Sequence, residues 1–116
     1  MISERWDVVV VPFPFTDRPM SKRRPALTLS QRELNVHGHT VLAMITTKAE
    51  PSWPGDTSLA DHATAGLPAA STVRLKVFTL DNRLIVKIAG TLSAADRKRV
   101  AAQLARFLAE ESRLLL

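Results

Sequence analysis

The segment 6–27 constrains the fold more than any other part of the chain. It begins with a short, continuous apolar run, Trp6–Val11, which is typical of a buried β-strand. Pro12 and Pro14 follow, and since proline cannot donate a hydrogen bond to a sheet, the strand must end there, bulge or run along an edge. A basic loop then leads into a second apolar run. The segment therefore predicts two strands joined by a cationic loop.

The later apolar runs predict a chain that is mainly β. Further strands are expected at Arg24–Ser30, Thr40–Ile45, Asp56–Leu59, Ser71–Leu80 and Leu84–Ala89. Turns or loops are expected at 35–39, 46–55 and 60–70, where breakers such as proline and glycine collect. Alternation within 71–80 predicts that Val73, Leu75 and Val77 share one face of a half-buried strand.

The period changes near the C-terminus, where a helix is predicted. Ser93 with Asp96 three residues later resembles a capping box. An apolar stripe then extends to about Glu110 and consists of Val100, Leu104, Phe107 and Leu108. Many short strands followed by one helix predict a small, antiparallel, partly open barrel with the helix packed on it.

Length and composition narrow the class of protein. The 116 residues fit a single domain over 1–116 with one modest core. The absence of cysteine excludes disulfides, thiolate metal sites and a cysteine nucleophile. No apolar run approaches the roughly 20 residues that a membrane span needs, and the N-terminus lacks the order of a signal peptide. We therefore expect a cytoplasmic protein with no membrane association.

The charge balance favours a polyanionic partner. Sixteen lysines and arginines against eleven acidic residues give a net charge of +5. Four of the cations fall in the loop before the second strand: Arg18, Lys22, Arg23 and Arg24. The arginine fork matches phosphate geometry, and Pro25 biases Arg24 toward an extended backbone. These cations are candidate phosphate ligands, and the alternative is a solvated basic turn.

Three further residues, Thr46, Thr47 and Trp53, could contact RNA. Thr46 and Thr47 end the third strand, where a hydroxyl can bond a phosphate or sugar oxygen or can simply belong to an ordinary strand end. Trp53 lies in a polar loop and could stack on an unpaired base or cover the core.

No metal or cofactor site is expected. His37 and His39 flank Gly38 and could form the acid–base pair of a ribonuclease, but solvated loop histidines, together with His62, are the better interpretation. A zinc site lacks its further ligands, and no pair of carboxylates has a spacing that suggests a metal nuclease.

The chain resembles the MazF/PemK family of toxins from bacterial toxin–antitoxin systems, essentially from end to end. The matching blocks are Arg5–Val8 with Val11–Phe13, Arg24–Leu27, Ala43–Thr46, Gly66–Pro68 with Ser71–Val73, Phe78–Leu80 and Ile88–Ser93. The sequence departs from the family at Trp6, where a glycine is usual, and in the basic loop 17–23, which is glycine-rich in well-studied members.

The resemblance implies a fold, an activity and partners. We expect an SH3-like barrel with a C-terminal helix, a homodimer, and a metal-independent, sequence-selective endoribonuclease that cuts single-stranded RNA. A cognate antitoxin would neutralise it. Arg24 and Thr46 match the family's catalytic arginine and threonine. Ser21 matches the family's serine in the loop before that arginine. With the residues argued above from their chemistry, Arg18, Lys22, Arg23, Thr47 and Trp53, it makes up the expected RNA-binding set.

The implied reaction is attack of a 2′-hydroxyl on the neighbouring phosphorus with departure of the 5′-oxygen. Arg24 would stabilise the charge that accumulates on the phosphoryl oxygens and is a candidate for proton transfer, while Thr46 would orient the phosphate. Two alternatives stay open: a barrel that binds RNA or protein without cutting, and a gyrase poison of the related CcdB type. The tail Ser112–Leu116 lacks the aromatic residue on which such poisons commonly rely, which counts against the second.

Overall fold

A computed structural model describes residues 1–12, 22–47 and 51–109 as one antiparallel sheet flanked by helices. The strands are β1 (Asp7–Pro12), β2 (Arg23–Thr28), β3 (His39–Thr46), β4 (Thr57–Ser58), β5 (Thr72–Asp81) and β6 (Lys87–Thr91). The helices are α1 (Arg32–Asn35) and α2 (Ala94–Leu104); α2 runs on into a π-helical turn, Ala105–Ala109. The strand order β4-β5-β3-β2-β1-β6 leaves β4 and β6 as edges. The predicted mainly β, partly open barrel with a terminal helix is confirmed.

Each face of the sheet carries its own apolar cluster. Val8 pairs with Leu27, and both belong to the cluster that α2 covers through Val100. Their neighbours Val9 and Ala26 form the next pair and belong to a second cluster on the opposite face. We call the first the helix face and the second the open face. Because both faces are apolar at their centre, a continuous run such as Val8–Val11 suits β1 better than strict alternation.

Helix α2 begins as predicted but does not keep its apolar stripe buried. Ser93 Oγ accepts a hydrogen bond from the Asp96 backbone N–H at 3.2 Å and caps the first turn. Val100 is fully buried, whereas Phe107 and Leu108 are exposed, which corrects the prediction that they share its buried face. Leu104 and Leu108 still face the sheet, since they line an open apolar groove together with Leu29, Val41 and Val77. The predicted end near Glu110 lies outside the described residues.

A bulge interrupts the pairing of β3 with β5. The register passes from Ala43 opposite Val77 to Met44 opposite Arg74, so that β5 contains two extra residues, Leu75 and Lys76. Because the bulge adds two residues, the alternation of faces is kept: Val73 and Val77 lie opposite Ile45 and Ala43 of the helix-face cluster and share that face, as predicted, although Val77 is 42% exposed.

Two predicted boundaries also shift. The turn expected at 35–39 is shorter, because Asn35 ends α1 and His39 already begins β3. The strand expected at Leu84–Ala89 starts later, since 82–84 forms a 3-10 turn in which Asp81 accepts a hydrogen bond from the Arg83 backbone N–H. Within the described ranges, no helix has the length and apolar character needed to cross a bilayer.

Candidate functional site

The candidate site lies where β2 and β3 cease to be paired. Their ladder runs from Thr28 opposite Leu42 to Ala26 opposite Met44. Pro25, the next residue of β2, has no backbone N–H to donate. Continuing the register by two residues puts Arg24 opposite Thr46, just beyond the last paired residues. The two predicted catalytic residues thus lie on neighbouring strands, each two residues beyond the last pair of the ladder.

Arg24 and Thr46 share the open face. Opposite residues of an antiparallel pair point to the same side, and Arg24 lies opposite Val11, a member of the open-face cluster. Thr46 follows Met44 by two residues, and Met44 packs against the same cluster. Arg24 is exposed and Thr46 is half-buried. A cation reachable from solvent therefore stands beside a hydroxyl whose position the sheet fixes.

The other residues predicted to bind RNA do not all lie at this site. Arg23 precedes Arg24 in β2, and its side chain therefore points to the opposite face of the strand. Lys22 and Thr47 are exposed and flank the two strand ends. Arg18 and Ser21 lie outside the described residues.

Asp56 and Arg74, to which the sequence analysis gave no role, form an ion pair on the open face. Arg74 lies opposite Met44, two residues after Thr72, the residue of β5 that faces Thr46. Its Nε and Nη2 donate to Asp56 Oδ1 at 3.2 Å and Oδ2 at 3.0 Å, a bidentate arrangement. The side chain of Asp56 is fully buried and that of Arg74 is 13% exposed. The only sequence signal for this pair is the placement of Arg74 on the polar side of β5.

The buried carboxylate also closes the loop that precedes β4. Asp56 Oδ2 accepts hydrogen bonds from the backbone N–H groups of Ser52 at 2.9 Å and Trp53 at 3.0 Å. Burial by itself would raise the pKa of Asp56, but the hydrogen bonds from Arg74 and from these two amides, with the charge of Arg74, lower that pKa overall. Asp56 is thus held as a carboxylate that ties the loop to β5.

Trp53 lies at the surface of that loop. Its side chain is 45% exposed, and Lys76 Nζ lies 4.3 Å from the centroid of its ring. The ring is therefore not a cover over the core. The structure leaves part of its area accessible beside a lysine ammonium group.

The histidines are separate from this site. His62 Nδ1 lies 2.8 Å from the carbonyl oxygen of Leu67, which fixes its ring in the loop 61–67. His37 and His39 are exposed near the opposite end of β3 from Thr46. Among the residues that the structure describes, no three His, Asp or Glu side chains are grouped as a metal site would require.

Comparison with known families identifies the class of protein. The sequence matches the family described as PemK-like, MazF-like toxin of type II toxin–antitoxin systems over residues 4–108. This match covers nearly the whole chain, and the chain therefore belongs to that family. Comparison with curated protein sequences gives no significant match.

Solved structures with the same fold agree with this assignment. MazF in a MazE–MazF crystal from Deinococcus radiodurans superposes with a TM-score of 0.74 at 22% identity, covering 94% of this chain and 98% of that one. An endoribonuclease in complex with its cognate antitoxin from a mycobacterial species gives 0.72 at 19% identity, covering 92% and 95%. The Mycobacterium tuberculosis toxin MazF-mt6 gives 0.69 at 20% identity, covering 86% and 93%. At these identities the likeness establishes the fold.

Proposed function

We propose that this toxin is an endoribonuclease that cleaves single-stranded RNA without a metal ion and with sequence selectivity. The observation that carries the proposal is that Arg24 and Thr46 share the open face, each two residues beyond the last pair of β2 and β3. Family membership and the endoribonuclease named among the structural relatives support the same reaction.

The reaction uses the substrate's own nucleophile. The 2′-oxygen forms a bond to phosphorus, the bond from phosphorus to the 5′-oxygen breaks, and the products are a cyclic phosphate and a 5′-hydroxyl. The attacking hydroxyl loses a proton and the leaving oxygen gains one, so that no other reactant is needed. Arg24 presents a cationic guanidinium whose planar fork of N–H donors matches the oxygens of a phosphate. Its guanidinium would neutralise the phosphoryl oxygens in the transition state, while the Thr46 hydroxyl would orient them.

The same proposal includes the protein's state and partners. We expect a single domain that forms a homodimer, acts in the cytoplasm and is neutralised by a cognate protein antitoxin. The net charge of +5 suits both an RNA backbone and an acidic segment of an antitoxin.

The test is cleavage of a mixed-sequence single-stranded RNA by the purified protein in the presence of EDTA. Arg24→Ala should lower the cleavage rate by about 100-fold or more, as expected when a transition-state charge loses its partner. Thr46→Ala should lower the rate less, because it removes one hydrogen bond to the phosphate. Arg32→Ala is the matched control, since Arg32 is an exposed arginine on α1 at the far end of β3.

Two results would contradict the proposal. Unchanged cleavage by Arg24→Ala would remove the proposed site. RNA binding by the wild-type protein without any cleavage would instead favour the non-catalytic binding domain.

A further inference from the structure

The loop 51–56 borders the candidate site. It leads from the end of β3 into β4, and it is tied to β5 by the Asp56–Arg74 pair. Arg74 and Thr46 are diagonal neighbours on β5 and β3, which places their Cα atoms about 7–8 Å apart. Both side chains point to the open face. The ion pair is therefore part of the same surface as Arg24 and Thr46.

The Asp56–Arg74 ion pair fixes the position of the loop 51–56 against β5. Asp56 receives two hydrogen bonds from Arg74 and two from the loop backbone at Ser52 and Trp53. Arg74 Nη2 also donates to Ser52 Oγ at 2.9 Å, and the Asp56 backbone N–H donates to the Trp53 carbonyl at 2.9 Å. These bonds fix the backbone on both sides of the Trp53 side chain. A partly buried network of this kind holds its members in one geometry.

The side chain that is held in this way has the chemistry of a nucleobase platform. Trp53 offers a half-exposed ring on which any unpaired base can stack. Lys76, in the bulge of β5, contacts that ring and adds a cation for the adjoining phosphate. An aromatic ring beside a fixed cation is the combination that binds single-stranded nucleic acid.

We propose that Trp53 and Lys76 form a nucleotide subsite next to the cleavage site, and that Asp56 and Arg74 are the positioning residues that hold it. The subsite takes an unpaired base and the phosphate beside it. This inference rests on the proposed function, because it assigns part of the same RNA to the loop 51–56. It predicts that the loop contributes to RNA binding and to the choice of nucleotide beside the scissile bond.

The first experiment measures binding without cleavage. The probe is a mixed-sequence RNA of about 12 nucleotides carrying 2′-O-methyl groups, which removes the nucleophile and leaves the bases for stacking. Inorganic polyphosphate is the second probe, since it has the charge of RNA and no bases. Trp53→Ala should weaken RNA binding about 5- to 100-fold and leave polyphosphate binding unchanged. Lys76→Met should weaken both, and Lys98→Met, at an exposed lysine of α2 on the helix face, should weaken neither.

The second experiment tests the positioning role. Asp56→Asn and Arg74→Lys should raise KM while kcat stays within about twofold, because the reacting phosphate is held elsewhere. When either substitution is combined with Trp53→Ala, KM should rise little beyond the value for Trp53→Ala alone, since the substitution acts on RNA binding through the Trp53 side chain. In a Trp6→Phe background, Trp53 is the single tryptophan, and Asp56→Asn should shift its emission and increase its quenching by acrylamide before any RNA is added. Melting curves of each variant ensure that all are measured folded.

The outcomes separate the two proposals. Cleavage that depends on Arg24, together with normal RNA binding by Trp53→Ala, would overturn the subsite and leave the proposed function standing. Loss of binding in Trp53→Ala in a protein that never cleaves would keep the subsite and overturn the nuclease. Full additivity of Asp56→Asn with Trp53→Ala would overturn the positioning role.

Discussion

At the scale of single residues, Trp6 has a backbone conformation that glycine adopts more easily than any other residue. Its φ angle is +78°, in the left-handed region that favours glycine, and the family usually has glycine at this position. The Trp6 backbone is nevertheless fixed on both sides: its N–H donates to the Thr28 carbonyl at 2.8 Å, and its carbonyl accepts from the Leu92 N–H at 3.0 Å. The ring packs against the helix-face cluster, which offsets the cost of the conformation.

Asp56 gives a prediction about acid stability. Its folded-state pKa lies below the usual 3.8, so its contribution to stability is fully present above that value and is lost as the pH falls through the lowered pKa. Asp56→Asn should therefore lower the free energy of unfolding by about 2–3 kcal/mol at pH 7, because the charged hydrogen bonds to Arg74 are lost. In urea denaturation, the difference between the two proteins should shrink steadily below pH 3.8.

The control for this measurement is Glu33→Gln, at an exposed carboxylate on α1. It should leave the free energy of unfolding nearly unchanged across the same pH range. A difference between wild type and Asp56→Asn that persists unchanged in acid would show that the ion pair is not its source.

At the scale of elements, a backbone-to-backbone contact holds β6 against the loop 61–67. A Cβ atom on Gly66 would lie 2.1 Å from the Ala89 carbonyl oxygen, and one on Gly90 would lie 2.5 Å from the Ala65 carbonyl carbon. Ala89 is the extra residue of the bulge between β1 and β6, which brings this carbonyl toward the loop. The two glycines are 24 positions apart in the sequence. Only the fold shows that each lies against the backbone of the residue that precedes the other, so that neither position has room for a side chain.

Alanine substitutions separate steric overlap from backbone strain. Gly90→Ala, which meets backbone atoms, should lower the free energy of unfolding by about 3 kcal/mol. Gly66→Ala should lower the free energy of unfolding still more, because its Cβ would overlap with backbone atoms and alanine is also strained at the φ of +74°. Gly38→Ala is the matched control, since its φ is +112° but nothing lies within 4 Å, and it should cost about 1 kcal/mol. Equal urea midpoints for Gly90→Ala and Gly38→Ala would contradict the close contact.

At the scale of the whole molecule, the charge excess sets the salt dependence of RNA binding. For single strands, the logarithm of the binding constant falls with the logarithm of salt concentration by about 0.7 per phosphate neutralised. With contacts from Lys22, Arg24 and Lys76 the slope should be about −2. Lys22→Ala should reduce it by about 0.7, whereas the Arg32→Ala control should leave it unchanged. A slope near zero for the wild-type protein would contradict binding through phosphates.

Much of the fold could be predicted because it follows from patterns within short stretches of the sequence. Each of these signals lies within a few consecutive residues: the apolar run of β1, the prolines after it and the Ser93 cap of α2. The structure has β1 and α2 at these positions. The π-helical turn and the bulge of β5 could not be predicted, since each depends on packing against a distant strand. Val77, Phe107 and Leu108 are therefore more exposed than alternation and helical periodicity indicated.

The sequence by itself determined the class of fold, the family and the pairing of Arg24 with Thr46 as candidates, because these follow from contiguous motifs in the chain. Only the tertiary structure decided that Asp56 and Arg74, 18 residues apart, form one ion pair on the same face of the sheet as Thr46. Hydrogen bonds between side chains on different strands depend on the register of the sheet. A two-residue bulge shifts that register, and nothing local to either segment records it.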